Sequence, residues 1–182
     1  MAKLVSATYG EALFDVACNE NRIDSFYEEA VAVLQSVNDN PELLRLLNHP
    51  EIVKEEKIQL IENIFHNFVS GEMTGFLIAI VEKDRSSQIP DIFQYFIAKV
   101  KEYKKIGIAY VTTPLELSED MKKKVVDRLL QTTDYKEFEM NYAVDKSLIG
   151  GMTIRIGDRI IDSSIKNKLN LLSKELEKTE IM

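Results

Sequence analysis

Chemistry-bearing residues are scarce in this chain. Cys18 is the one cysteine among 182 residues, which excludes an intrachain disulfide and a cysteine-rich metal centre and is compatible with a reducing compartment. The two histidines, His49 and His66, each stand beside asparagine or proline, and neither belongs to a His-Glu-x-x-His array or a triad with Cys18. No Gly-x-x-x-x-Gly-Lys-Ser/Thr loop occurs, and Gly150-Gly151 precede a strand pattern instead of a helix start, so they read as a turn. Asp145, Asp158 and Asp162 come nearest to a magnesium cluster, yet Asp158 falls in a hairpin turn and Asp162 at a helix start, and structural duties account for both. No catalytic residue, cofactor or metal is expected. Long apolar runs are missing too. The richest, Phe76 to Val81, is far shorter than the roughly 20 residues needed to span a bilayer. The N-terminal MAKLVSATYGEALF lacks the apolar core of a signal peptide, so any membrane association is expected to be indirect. Basic residues are outnumbered 23 to 30, which argues against broad affinity for nucleic acid or anionic lipid. The imbalance is local: residues 1–105 hold 11 basic and 17 acidic side chains, the remainder 12 and 13.

What is present suits a two-part α+β protein, with 45% hydrophobic and 29% charged residues. Residues 1–105 read as six helices, a bundle: about Ser6 to Asn19, Asp24 to Val37, Pro41 to Leu47, Val53 to Phe68, Glu72 to Lys83 and Pro90 to Lys105. Short loops imply antiparallel packing. After Gly107 the texture changes to a small α/β part over 106–182. Ile108 to Thr113 is β-branched, Ser118 to Thr132 is helical, and Phe138, Met140, Tyr142 and Val144 alternate with polar residues. Met152, Ile154 and Ile156 alternate likewise, Gly157-Asp158 makes a two-residue turn, and Arg159 to Asp162 returns as the second strand of a hairpin. Asp162, Ser163 or Ser164 can then cap a terminal helix whose Ile165, Leu169, Leu172 and Leu176 form one apolar stripe. That stripe is expected to lie on the hairpin, leaving Leu171 and Ile181-Met182 over.

Helix one carries more apolar surface than a bundle needs. On a helical wheel Tyr9, Ala12, Leu13, Phe14, Val16, Ala17 and Cys18 sweep about 240°, where a core-facing stripe requires roughly 100°. Helix five is apolar all round, with small Gly75 and Ala79 four residues apart. Burial among several helices explains both, and so does a groove for a partner helix.

Asp145-Lys146-Ser147-Leu148, Gly151, Ile154-Arg155, Gly157-Asp158 and Ile160-Ile161-Asp162, together with Tyr9-Gly10-Glu11-Ala12-Leu13-Phe14, resemble the signatures of the delta subunit of bacterial F-type ATP synthases, counterpart of the mitochondrial oligomycin-sensitivity-conferring protein. The resemblance covers both ends and fits the length. It implies a non-catalytic stator subunit of the proton-translocating enzyme, peripheral at the cytoplasmic face of the cell membrane. Such a subunit links the catalytic head to the peripheral stalk against the rotor's torque. It further implies that the helical domain binds the N-terminal helix of an alpha subunit, through Tyr9, Ala12 and Leu13 with Gly75, Phe76 and Ala79. The second domain is then expected to meet the b subunits, through Lys166, Leu171, Lys174 and Lys178. A reading from another class is a helical RNA-binding module of the antitermination type, whose bundle the delta-subunit bundle resembles. The acidic excess opposes it, and Lys99, Lys101, Lys104 and Lys105 are too local a cluster to reverse that. A small enzyme is the third, disfavoured by the lack of a nucleophile-base pair. It would need a concave polar pocket, and none is expected.

Overall fold

The computed structural model describes residues 2–170, with side chains from Leu4 onward. Two compact units divide the chain, Met1–Lys101 and Glu102–Met182, against a sequence-based boundary at Lys105.

The first unit is helical. It contains α1 (Ala2–Asn19), α2 (Ile23–Asp39), α3 (Pro41–Leu47), α4 (Lys54–Phe65), α5 (Gly71–Glu82), a single 3-10 turn at Ser86–Gln88, and α6 (Ile89–Lys104) up to Lys101, its last three residues counting with the second unit. Pro41 opens α3, where its missing N–H costs no hydrogen bond. Two helix ends are built alike. After α1, Asn21 takes a left-handed φ of 54°, and the N–H groups of Asn21 and Arg22 bond back to the carbonyls of Cys18 and Ala17. After α5, Asp84 does the same at φ 54°, with Asp84 and Arg85 bonding to Val81 and Ile80. These are Schellman turns with Asn and Asp where glycine is commonest. Helix α4 stops at Phe65, short of the expected Phe68, because the Phe65 carbonyl accepts from both Phe68 and Val69 as the chain turns toward Ser70. Ser70 caps α5, its hydroxyl accepting from the Met73 N–H and donating to Glu29 of α2 at 2.7 Å. The interior is filled by Phe26, Phe93, Phe96, Ile61, Leu77 and Ile80, each about fully buried.

The second unit is a mixed sheet with one crossing helix: β1 (Ile106–Thr113), α7 (Glu119–Thr132), β2 (Glu137–Val144), a 3-10 turn at Lys146–Leu148, β3 (Thr153–Ile156) and β4 (Arg159–Asp162). Residues 165–170 are helical. The strand order is β2-β1-β3-β4. β1 and β2 are parallel and need the α7 crossover, whereas β3 pairs antiparallel with both β1 and β4. The hairpin falls where the alternation put it, with Ile156 opposite Arg159 and positive φ at Gly157 but not at Asp158, the pattern of a type II′ turn. Val125 and Leu129 of α7 cover Ala109, Val111, Phe138 and Ile156, and this is the unit's core. The whole is α+β.

Candidate functional site

The apolar excess of α1 is only partly consumed by the core. Leu13 and Ala17 are 2% and 0% exposed, whereas Ala12 and Val16 face solvent. On α5, Met73, Leu77, Ile80 and Val81 are buried, Phe76 is half-buried, and Gly75 and Ala79 are exposed. Ring contacts join the two helices. The Tyr9 and Phe76 centroids are 6.2 Å apart, and Phe76 meets buried Phe93 edge-on at 6.1 Å. At one end Arg22 lies 3.5 Å from Glu72, and at the other the Arg85 guanidinium lies 5.2 Å from the Tyr9 ring centre. Residues after α1 therefore meet the start of α5, while mid-α1 meets the residue after its end, so the helices run antiparallel.

Small and half-buried apolar side chains thus share a surface strip along α1 and α5, the candidate trough. Tyr9 and Phe76 form its floor, with exposed Ala12 and Ala79 on the same flanks of their helices. Val16 belongs with them at 41% exposed; its spacing of four from Ala12 was the available signal. Leu13 does not line the trough. Facing the interior, it has no surface to offer a partner, which corrects its assignment from the resemblance. Gly75 opens mainly to the other side of α5, where a depression of about 500 Å³ runs against Glu62 and Asn63 of α4 and His66 just after it. A Cβ built on Gly75 would meet no atom within 4 Å. The outer strip of α5 is thus uncovered from both sides. At the rim, Glu72's own backbone N–H, in the first turn of α5, and then Arg22 hold its carboxyl below the usual range. Burial, then Asp15, pushes the Cys18 thiol up, away from a reactive thiolate.

The second unit does contain a concave polar region, contrary to expectation. About 1070 Å³ opens among Glu102, Lys105, Asp134, Tyr135, Asp158 and Arg159. Its two threonine hydroxyls are already engaged: Thr132 donates to the Arg128 carbonyl at 2.8 Å and Thr133 to that of Leu129 at 2.7 Å. Asp145 and Asp162 do structural work elsewhere. Asp145 accepts from the Ser147 N–H and hydroxyl, and these hold its carboxyl below the usual range. Asp162 accepts from the Ser164 N–H at 2.9 Å, and the Ser164 hydroxyl, buried, accepts from Asn167 and so caps the helix at 165–170. Among the described residues no three His, Cys, Asp or Glu side chains gather as a metal site, and no helix is long and apolar enough to cross a membrane.

Ile165 and Leu169 remain 43% and 53% exposed, so the described part of the stripe does not lie buried on the hairpin as expected. The covered face of the sheet is occupied by α7. Ile165 instead leans over the glycine turn. A Cβ on Gly150 would come 2.5 Å from its Cδ1, and one on Gly151, at φ +77°, would come 2.4 Å from the Ser163 carbonyl oxygen. The Gly150-Gly151 pair is there for this close approach. Lys166 is exposed, with Asp145 near enough to feel its charge. Leu171, Leu172, Lys174, Leu176 and Lys178 lie outside the described residues.

Comparison with known proteins agrees along the whole chain. The family described as ATP synthase delta (OSCP) subunit matches residues 5–176. ATP synthase subunit delta of Lachnoclostridium phytofermentans is 55% identical over 181 residues, covering 100% of both chains. That of Desulforudis audaxviator is 34% identical, covering 97% of each. A chain of the Toxoplasma gondii mitochondrial ATP synthase hexamer shares the fold, with a TM-score of 0.71 at 18% identity over 94% of this chain and 96% of that one. The chain belongs to the ATP synthase delta (OSCP) subunit family.

Proposed function

We propose that this subunit is the non-catalytic connector of the ATP synthase stator, its two units gripping different partners. The first, working as a six-helix bundle, takes the N-terminal helix of an alpha subunit of the catalytic head. That helix lies in the α1–α5 trough over Tyr9, Ala12, Phe76 and Ala79, with Gly75 bordering it on the α4 side of α5. The second unit takes the b subunits of the peripheral stalk, with Lys166, Leu171, Lys174 and Lys178 on its carboxy-terminal segment. The subunit performs no chemistry of its own and reaches the cytoplasmic face of the membrane through these partners. The observation that carries the first contact is the uncovered small-residue strip: Ala12 and Ala79 are exposed beside the Tyr9–Phe76 ring contact. Small side chains let a helix backbone approach closely, and an apolar face set on Tyr9 and Phe76 gains about 25 cal/mol per Å² buried.

Replacing Ala79 by Arg tests the trough without touching the core. The variant is expected to keep the wild-type circular dichroism melt while binding an alpha-subunit N-terminal peptide at least about tenfold more weakly, roughly 1.4 kcal/mol. Unfolding of the variant would instead place Ala79 in the interior.

A further inference from the structure

One cation beside the trough has no carboxylate partner among the described residues. Arg85 follows the turn that ends α5, its N–H held by the Ile80 carbonyl at 3.1 Å, so the helix end fixes its backbone. Its side chain is half-buried with the guanidinium 5.2 Å from the Tyr9 ring centre. Among the described residues it makes no ion pair, although residues 1–105 hold 17 acidic side chains against 11 basic. Arg22 provides the contrast. It occupies the equivalent place after α1 and lies 5.4 Å from the Phe26 ring, yet it is paired with Glu20 at 3.4 Å and Glu72 at 3.5 Å. A guanidinium set over a ring keeps N–H donors along its edge, and their fork fits a carboxylate with two parallel bonds.

We propose that Arg85 is a specificity-determining residue of the trough, pairing edge-on with an acidic side chain of the docked helix while its face stays on Tyr9. The inference rests on the reading of the trough as a helix site. It adds direction to that reading. Because α1 and α5 are antiparallel, Arg85 marks one end and the acidic pair Glu20 and Glu72, already held by Arg22, marks the other. A helix docked in reverse would carry its carboxylate away from the lone cation and toward two like charges.

The probe is a synthetic peptide of the alpha-subunit N-terminal segment, compared by titration calorimetry with a copy whose Asp and Glu are replaced by Asn and Gln. The full chain is used throughout. Arg85→Gln is expected to weaken the parent peptide about tenfold or more. It should leave the neutral copy bound as by the wild type. Arg85→Lys, which keeps the charge without the fork, should recover only part of the loss, and Lys83→Gln, on an exposed neighbour, should change neither affinity. Equal weakening of both peptides by Arg85→Gln would mean that Arg85 merely holds Tyr9, and no weakening of either would remove it from the site. Both results overturn the inference while the trough stands. Failure of the wild-type chain to bind the parent peptide overturns the trough itself, and the inference with it.

Discussion

Gly10 and Gly75 occupy similar mid-helix positions with opposite surroundings. A Cβ on Gly10 would sit 2.5 Å from the Tyr95 ring and 3.4 Å from the Ile92 carbonyl, so this glycine lets α1 and α6 touch. Gly75 has open space. Helix propensity favours alanine at both by about 0.5–1 kcal/mol, and overpacking opposes it only at Gly10, by about 1–3 kcal/mol. Gly75→Ala is therefore expected to raise unfolding free energy by about 0.5–1 kcal/mol and Gly10→Ala to lower it by about 1–2 kcal/mol. Urea titrations measure both. Destabilisation by Gly75→Ala would mean that the strip is covered. Helical periodicity gives both glycines the same reading, because the steric difference lies in which neighbour each one meets.

At the scale of elements, the ends carry as much design as the stripes. The turn from β4 into the helix at 165–170 depends on Asp162, whose carboxyl is held below its ordinary value of 3.8 by the Ser164 hydroxyl and then the Ser164 N–H. A depressed acid stabilises the fold in its charged form. Its contribution is complete above the unfolded value near 3.8 and is lost as the pH falls through the lower folded one. Asp162→Asn is thus expected to lower the melting temperature at neutral pH, and the gap from wild type should close as the medium is acidified below that range. A constant gap at all pH values would assign the effect to shape instead of charge. Alternation and the Gly157-Asp158 turn made this hairpin legible beforehand, since period and turn chemistry are local. The choice of Ser164 over Asp162 and Ser163 as the cap was not, because it depends on which hydroxyl the fold buries.

For the whole molecule, the separate cores predict separate folding. The first unit's core draws on α1 to α6, the second's on the sheet and α7. A chain cut after Lys105 should give a helical circular dichroism spectrum, retain the alpha-subunit peptide within about threefold, and lose the b subunits. Binding by the fragment should change little with salt, since burial of apolar area is not screened as charges are. A well-folded fragment that fails to hold the peptide would refute the division of labour. The change of texture near Gly107 is where helix-period gives way to strand-period patterning, since the two cannot share an element.

Sequence alone determined the succession of helices and strands, the hairpin and the family, because periodicity, turn residues and motif spacing are properties of neighbours along the chain. Tertiary structure decided which apolar residues remain outside. Leu13 and Ala12 are adjacent on one helix and equally apolar on a wheel, yet packing buries one to 2% and leaves the other in solvent. Likewise, Arg22 and Arg85 end their helices in the same way, and only the placing of Glu20 and Glu72 pairs one and leaves the other without a carboxylate among the described residues. Exposure and the Arg22–Glu72 contact are set by residues far apart in sequence, so no local pattern encodes them, whereas Glu20 beside Arg22 and Lys83 beside Arg85 are local differences.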